Sequence, residues 1–138
     1  MGIYTKLIFN TAKVTKAIDD AAIKRMDEAT QAVRTQAMLT LSGDRTGRTY
    51  KVPGQNRTYV ASSPGEPPAQ RLGELRQNIG TLVESSFGNV TGKVGTDKIQ
   101  GRILEFNSLH TAARPWLKPS FEAATDEVKS ILRKRWFR

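Results

Sequence analysis

Cysteine is absent from this chain of 138 residues, which removes disulfides, thiolate catalysis and the common structural zinc sites in one step. Histidine occurs once, as His110, in a segment that reads as a loop. Any Ser-His-Asp triad or histidine-based acid catalyst would have to run through it. One histidine with scattered carboxylates offers no metal-ligand spacing. Long apolar runs are missing as well. Residues Met1 to Asn10 hold only Leu7-Ile8-Phe9, short of a signal peptide's apolar region. Nowhere does a run approach the roughly 18 residues of a membrane span. The chain is therefore expected to be cytoplasmic unless a larger particle carries it out.

Paired carboxylates do not converge. Asp19-Asp20 and Asp27-Glu28 are neighbours on a predicted helix, where adjacent side chains diverge and a solvated face is the default. Ser42-Gly43-Asp44-Arg45-Thr46-Gly47-Arg48 has glycines but neither the Lys-Ser/Thr of a phosphate loop nor dinucleotide-site spacing, so it reads as a turn. No enzyme is indicated, and no cofactor; an unfamiliar arrangement of Glu66, Glu105 or Tyr59 stays open.

What the chain has is positive charge. Twenty-two Lys and Arg against 13 Asp and Glu give a net +9, which favours nucleic acid, an anionic membrane surface or an acidic protein as partner. Basic residues interleave with Tyr50, Tyr59, Trp136 and Phe137, a combination suited to phosphate contact and base stacking. The hydrophobic share of 38% is lean, so one modest core is expected.

Val14, Ile18, Ala22, Met26, Ala29, Val33 and Ala37 recur at spacings of three and four, predicting a helix over 11–41. Asn10 or Thr11 would cap its start and a left-handed Gly43 would end it. At about 1.5 Å per residue it reaches roughly 45 Å, longer than a lean domain covers by itself. Part of its face is therefore expected to meet a neighbouring subunit. Two β-prone runs flank Pro53-Gly54, predicting a hairpin over 46–62 whose load of Arg45, Arg48, Lys51 and Arg57 is basic. A proline loop follows over 63–71, then a short helix over 72–79. A second hairpin spans 80–96, turning near Gly88-Asn89 or Thr91-Gly92, with Leu82, Val83, Phe87, Val90 and Val94 as its apolar face. Ile99 to Phe106 is too short to show a decisive period. The last helix is predicted over 119–136, with Pro119 as its first residue and Phe121, Ala124, Val128, Ile131, Leu132 and Trp136 on one face. The fold class expected is α+β, one domain over 1–138: two terminal helices packed on a small antiparallel sheet, with a protruding hairpin.

Two stretches fix backbone shape more than chemistry. Ser63-Pro64-Gly65-Glu66-Pro67-Pro68-Ala69 runs into Leu72-Gly73-Glu74-Leu75, and Ala113-Arg114-Pro115-Trp116-Leu117-Lys118-Pro119 comes later. Closely spaced prolines lock φ, remove amide donors and forbid a helix. Trp116, fenced by prolines, reads as a loop anchor. In this order, with Glu105-Phe106-Asn107-Ser108 between them, these motifs resemble the tail-completion or head-tail joining family of long-tailed bacteriophages. The similarity extends over most of the chain. Leu72 stands where that family usually has threonine, and Asn107 where it usually has glycine; asparagine is the best non-glycine substitute for a left-handed backbone.

The resemblance implies a structural virion protein at the head-tail junction, without catalysis or a small-molecule substrate. It implies a homo-oligomeric ring of about six subunits joining the head connector to tail tube proteins. Pro64, Gly65, Glu66, Pro67, Pro68, Glu105, Arg114, Pro115 and Trp116 become candidates for the subunit interface, with Glu66 and Arg114 as an intersubunit ion pair. Arg45, Arg48, Lys51, Arg57, Arg133, Lys134 and Arg135 are candidates for docking or for contact with packaged DNA. The alternative is a basic nucleic-acid-binding module acting as a monomer or small oligomer.

Overall fold

Asn10 starts the longest element. Its Oδ1 accepts the Lys13 N–H at 3.0 Å, and helix α1 runs Thr11–Ser42. The computed structural model describes residues 6, 8, 10–86 and 88–136. Gly43 does not end α1 in a left-handed turn: its φ is −70° and its backbone is extended. Side chains replace that cap. Ser42 Oγ donates back to the Met38 carbonyl at 2.6 Å, and Arg45 Nη2 donates at 2.7 Å to that of Thr40, one of the last four carbonyls, which have no partner within the helix.

The predicted stripe of α1 splits into two parts. Ala29, Val33, Ala37 and Leu41 are buried, whereas Val14 and Ile18 are 38% and 44% exposed. Helix α1 has outrun its own core.

After α1, strands β1 (Thr49–Lys51) and β2 (Thr58–Val60) pair antiparallel, with Tyr50 opposite Tyr59. Backbone bonds at Gly47–Ala61 and Val52–Arg57 extend the hairpin at both ends. Helix α2 is the short Glu74–Gln77. Strands β3 (Gly80–Ser86) and β4 (Asn89–Gly95) form the second antiparallel pair, from Gly80↔Gly95 to Ser86↔Asn89. The chain reverses at Gly88, whose φ of +77° suits glycine, the first of the two expected places. Thr81, Val83, Val90, Gly92, Val94 and Gly95 are the half-buried positions. Leu82, expected among them, is 52% exposed: with a period of two, an inward Thr81 and Val83 force it outward. Phe87 lies outside the described residues. Gly92 brings β4 close to α1, since a Cβ there would strike Thr30 and Met26.

The ambiguous segment is helix α3, Ile99–Phe106. Helix α4 spans Leu117–Arg133, so Pro119 is its third residue rather than its first, and it ends before Trp136. It lies antiparallel on α1. Ser120 Oγ bonds Thr40 Oγ1 at 2.9 Å at one end, and Arg25 Nη2 bonds the Arg135 carbonyl at 2.9 Å at the other. The core gathers where α1, α2, β4, α3 and α4 meet: Ala37, Leu41, Ile79 and Trp116 are buried there against Leu75, Val94, Leu104 and Leu117. The architecture is the expected α+β, with two terminal helices and two small antiparallel two-stranded sheets. Among the described residues, no helix is long and apolar enough to cross a membrane.

Candidate subunit interface

The two proline-bearing stretches, some forty residues apart, lie side by side. Gly65 N–H donates to the Ala113 carbonyl at 3.3 Å. The first stretch holds its shape through Glu66, which closes a turn with its N–H on the Ser63 carbonyl at 3.0 Å, with Gly65 at φ +85°. The Glu66 carboxylate then accepts the Thr46 hydroxyl at 2.6 Å, the Ser63 N–H at 2.9 Å and the Thr46 N–H at 3.2 Å. These bonds, led by that from the Thr46 hydroxyl, hold its pKa below the usual carboxylate value. Glu66 is thus committed within its own chain. Arg114 donates its backbone N–H to the Leu104 carbonyl, and its buried Nε finds no partner among the described residues. The expected Glu66–Arg114 pair therefore has one member already occupied.

Glu105 also faces inward. From the last turn of α3 its carboxylate accepts the backbone N–H groups of Trp116, Leu117 and Lys118 at 2.8, 2.9 and 2.9 Å. Pro119, next in line, has no N–H to satisfy. This is an N-terminal cap supplied from another helix, and it sets α4 two residues earlier than the sequence suggests. Trp116 is 1% exposed, and its indole N–H reaches the Gly101 carbonyl at 3.0 Å, as expected of an anchor. Asn107 has a positive φ of +78°, as its place at a glycine position suggests, but its ψ of 172° makes the backbone extended rather than left-handed helical. Pro68 is buried, Pro67 and Pro115 are half-buried, and Pro64 and Gly65 are exposed.

The basic candidates separate into two groups. Arg45 is spent internally, its guanidinium bonding the carbonyls of Thr40, Gly43, Asp44 and Pro68. Arg57 Nη2 reaches the Arg71 carbonyl at 3.1 Å. Arg48 and Lys51 are exposed beside Tyr50 and Tyr59, whose rings are 6.0 Å apart. Arg133, Lys134 and Arg135 are exposed near Arg25, while the hairpin follows the other end of α1. Arg25 to Leu41 is about 24 Å of helix. Trp136 donates its indole N–H to the Leu132 carbonyl at 3.1 Å and remains 39% exposed; Phe137 lies outside the described residues.

Sequence reasoning missed one feature. Helices α1, α3 and α4 and strand β4 leave an open apolar groove of about 790 Å³ between them, lined by Met26, Val33, Val94, Phe106, Phe121 and Val128 among others. Phe106 and Phe121 are 72% and 55% exposed. Four separate elements build it, so no local pattern announces it. The one trace in sequence is Gly92 and Gly101, both of which line the groove at positions where a Cβ would collide with a neighbour.

The site offers contact rather than convergent chemistry. Among the described residues there is no group of three or more His, Asp or Glu side chains placed to hold a metal ion. No protein-family model, curated protein or solved structure matches this chain.

Proposed function

We propose that this protein is a structural subunit of a long-tailed phage virion. It closes the head-proximal end of the tail and joins it to the head connector as a ring of about six copies. The observation that carries the reading is the meeting of the two family-like stretches through Gly65 and Ala113. Motifs far apart in sequence form one rigid surface, stiffened by the Glu66 turn and the Glu105 cap. A second feature agrees with it: the uncovered half of α1, with Val14 and Ile18 exposed, is what a subunit that completes its burial in an assembly carries.

A tagged copy on purified particles, located by labelled electron microscopy, tests this. Density at the neck is expected. Absence from the virion would overturn the reading.

The cations favour one alternative strongly enough to name it. Lys129, Arg133, Lys134 and Arg135 make no ion pair among the described residues, more positive charge than a helix C-terminus draws. A monomeric nucleic-acid-binding module would show duplex binding that weakens steeply with salt. A virion joint would show little of it outside the assembly.

A further inference from the structure

We propose that the groove between α1, β4, α3 and α4 receives the N-terminal half of α1 from a second copy of the chain. This rests on the ring reading and names the contact that would build it.

The chain exposes two apolar surfaces of opposite shape. One is a ridge, the stripe of exposed Val14 and Ile18 with half-buried Ala22, on the part of α1 ahead of Arg25, which meets the chain just past the end of α4. The other is the groove. Ridge and groove cannot meet within one molecule. Met26 and Val33 of the same continuous helix line the groove, so the stripe ahead of them points past its end. Between two molecules the dimensions agree. Val14 to Ala22 covers about 12 Å of helix, and Met26 to Val33 about 10 Å along the groove. Small aliphatic side chains at that spacing make a narrow ridge, the form in which an amphipathic helix fills an apolar groove. Charge fits at the edge. Arg102 and Lys118 stand at the groove and Asp19 stands next to Ile18, and none of the three is in an ion pair among the described residues.

Such a contact joins two different surfaces. Each subunit keeps one ridge or one groove free after binding, so the association is heterologous and either closes into a ring or continues as a chain.

The absence of cysteine makes the test clean. The double variant Ile18→Cys with Phe121→Cys is treated at high protein concentration with a short bis-maleimide, beside each single variant. A ladder of dimers, trimers and higher species from the double variant alone is expected. Dimers from Ile18→Cys alone would mean that α1 helices pair with each other, and would overturn the proposal. So would the absence of any ladder, which leaves the groove to another protein or to the chain's own first residues. Ile18→Glu supplies a second measurement: self-association by sedimentation should weaken by about tenfold or more while the thermal midpoint stays unchanged, since Ile18 lies outside the core. Unaltered association would equally overturn it. The two readings fail separately. Neck density without a ladder would leave the virion role and remove this contact, and a ladder without neck density would do the reverse.

Discussion

Glu105 holds the backbone of Trp116 at the start of α4, accepting its N–H at 2.8 Å. Trp116 brings no capping hydrogen bond of its own to that helix end, so the carboxylate from α3 closes it and ties α3, α4 and the buried indole into one unit. Replacing Glu105 with Ala leaves the N–H groups of Trp116, Leu117 and Lys118 without this acceptor. The expected loss is about 2 kcal/mol, read from urea unfolding. Glu105→Gln keeps one acceptor oxygen and should lose less. A subunit-interface role alone would leave the monomer's stability unchanged in both variants.

Gly101 sits under the same tryptophan. A Cβ there would stand 3.2 Å from Trp116 Cζ2 and 3.1 Å from Leu75 Cδ1, and would collide with Thr96 Cγ2. Helix propensity favours alanine over glycine by about 1 kcal/mol, but overpacking costs about 1 to 3 kcal/mol. Gly101→Ala should therefore destabilise. Thr96→Ser removes the offending methyl and keeps the hydroxyl that accepts the Lys98 N–H. The double variant should recover much of the loss, with a coupling of about 1 kcal/mol in a double-mutant cycle. Strict additivity would rule out the clash as the cause.

Glu66 gives the proline loop a dependence on pH. Its folded-state pKa lies below the ordinary 4.5, chiefly through the Thr46 hydroxyl. A depressed carboxylate stabilises the fold above its unfolded value, and that contribution is lost as pH falls through the folded value. Titrating downward from neutral pH, the amide signals of Thr46 and Ser63 should shift together with an apparent midpoint below 4.5. Glu66→Gln should abolish that transition. A midpoint at or above the ordinary value would mean that the loop bonds do not persist in solution.

Much of the architecture was legible because it is local. The three-and-four spacing from Val14 to Ala37 marks α1, and Asn10 caps it as its side chain suggests. What stayed hidden depends on residues distant in sequence. The start of α4 is set by Glu105 on another helix, so Pro119 misleads as a first residue. Gly43 misleads because Arg45 folds back over the carbonyls that a left-handed glycine would have served. Ile99 to Phe106 spans barely two turns, too few to separate helix from strand, and Trp116 against Gly101 helps fix the answer. Among the candidate site residues, Trp116 as an anchor was readable from the prolines around it. Glu66 was visible as a charge in a rigid loop, but its partners Thr46 and Ser63 were not, since nothing local joins residue 46 to residue 66.

Arg45 and Arg48 look equivalent in sequence and are not. Arg45 spans the end of α1 and the proline loop, with Nη2 at 2.7 Å from the Thr40 carbonyl and 3.0 Å from that of Pro68. Arg48 is exposed on the hairpin. Arg45→Ala should cost about 1 to 3 kcal/mol, because the part-buried bonds to the Thr40 and Pro68 carbonyls lose a charged donor. Arg45→Lys should recover little of it, since a single ammonium cannot reproduce a planar fork that reaches several carbonyls at once. Arg48→Ala and Lys51→Ala should each stay within about 0.5 kcal/mol of the parent. Chemical denaturation of the four variants side by side decides the matter: if Arg45→Ala proves as mild as Arg48→Ala, the guanidinium is not the clamp between helix and loop, and Arg45 returns to the residues available for an outside partner.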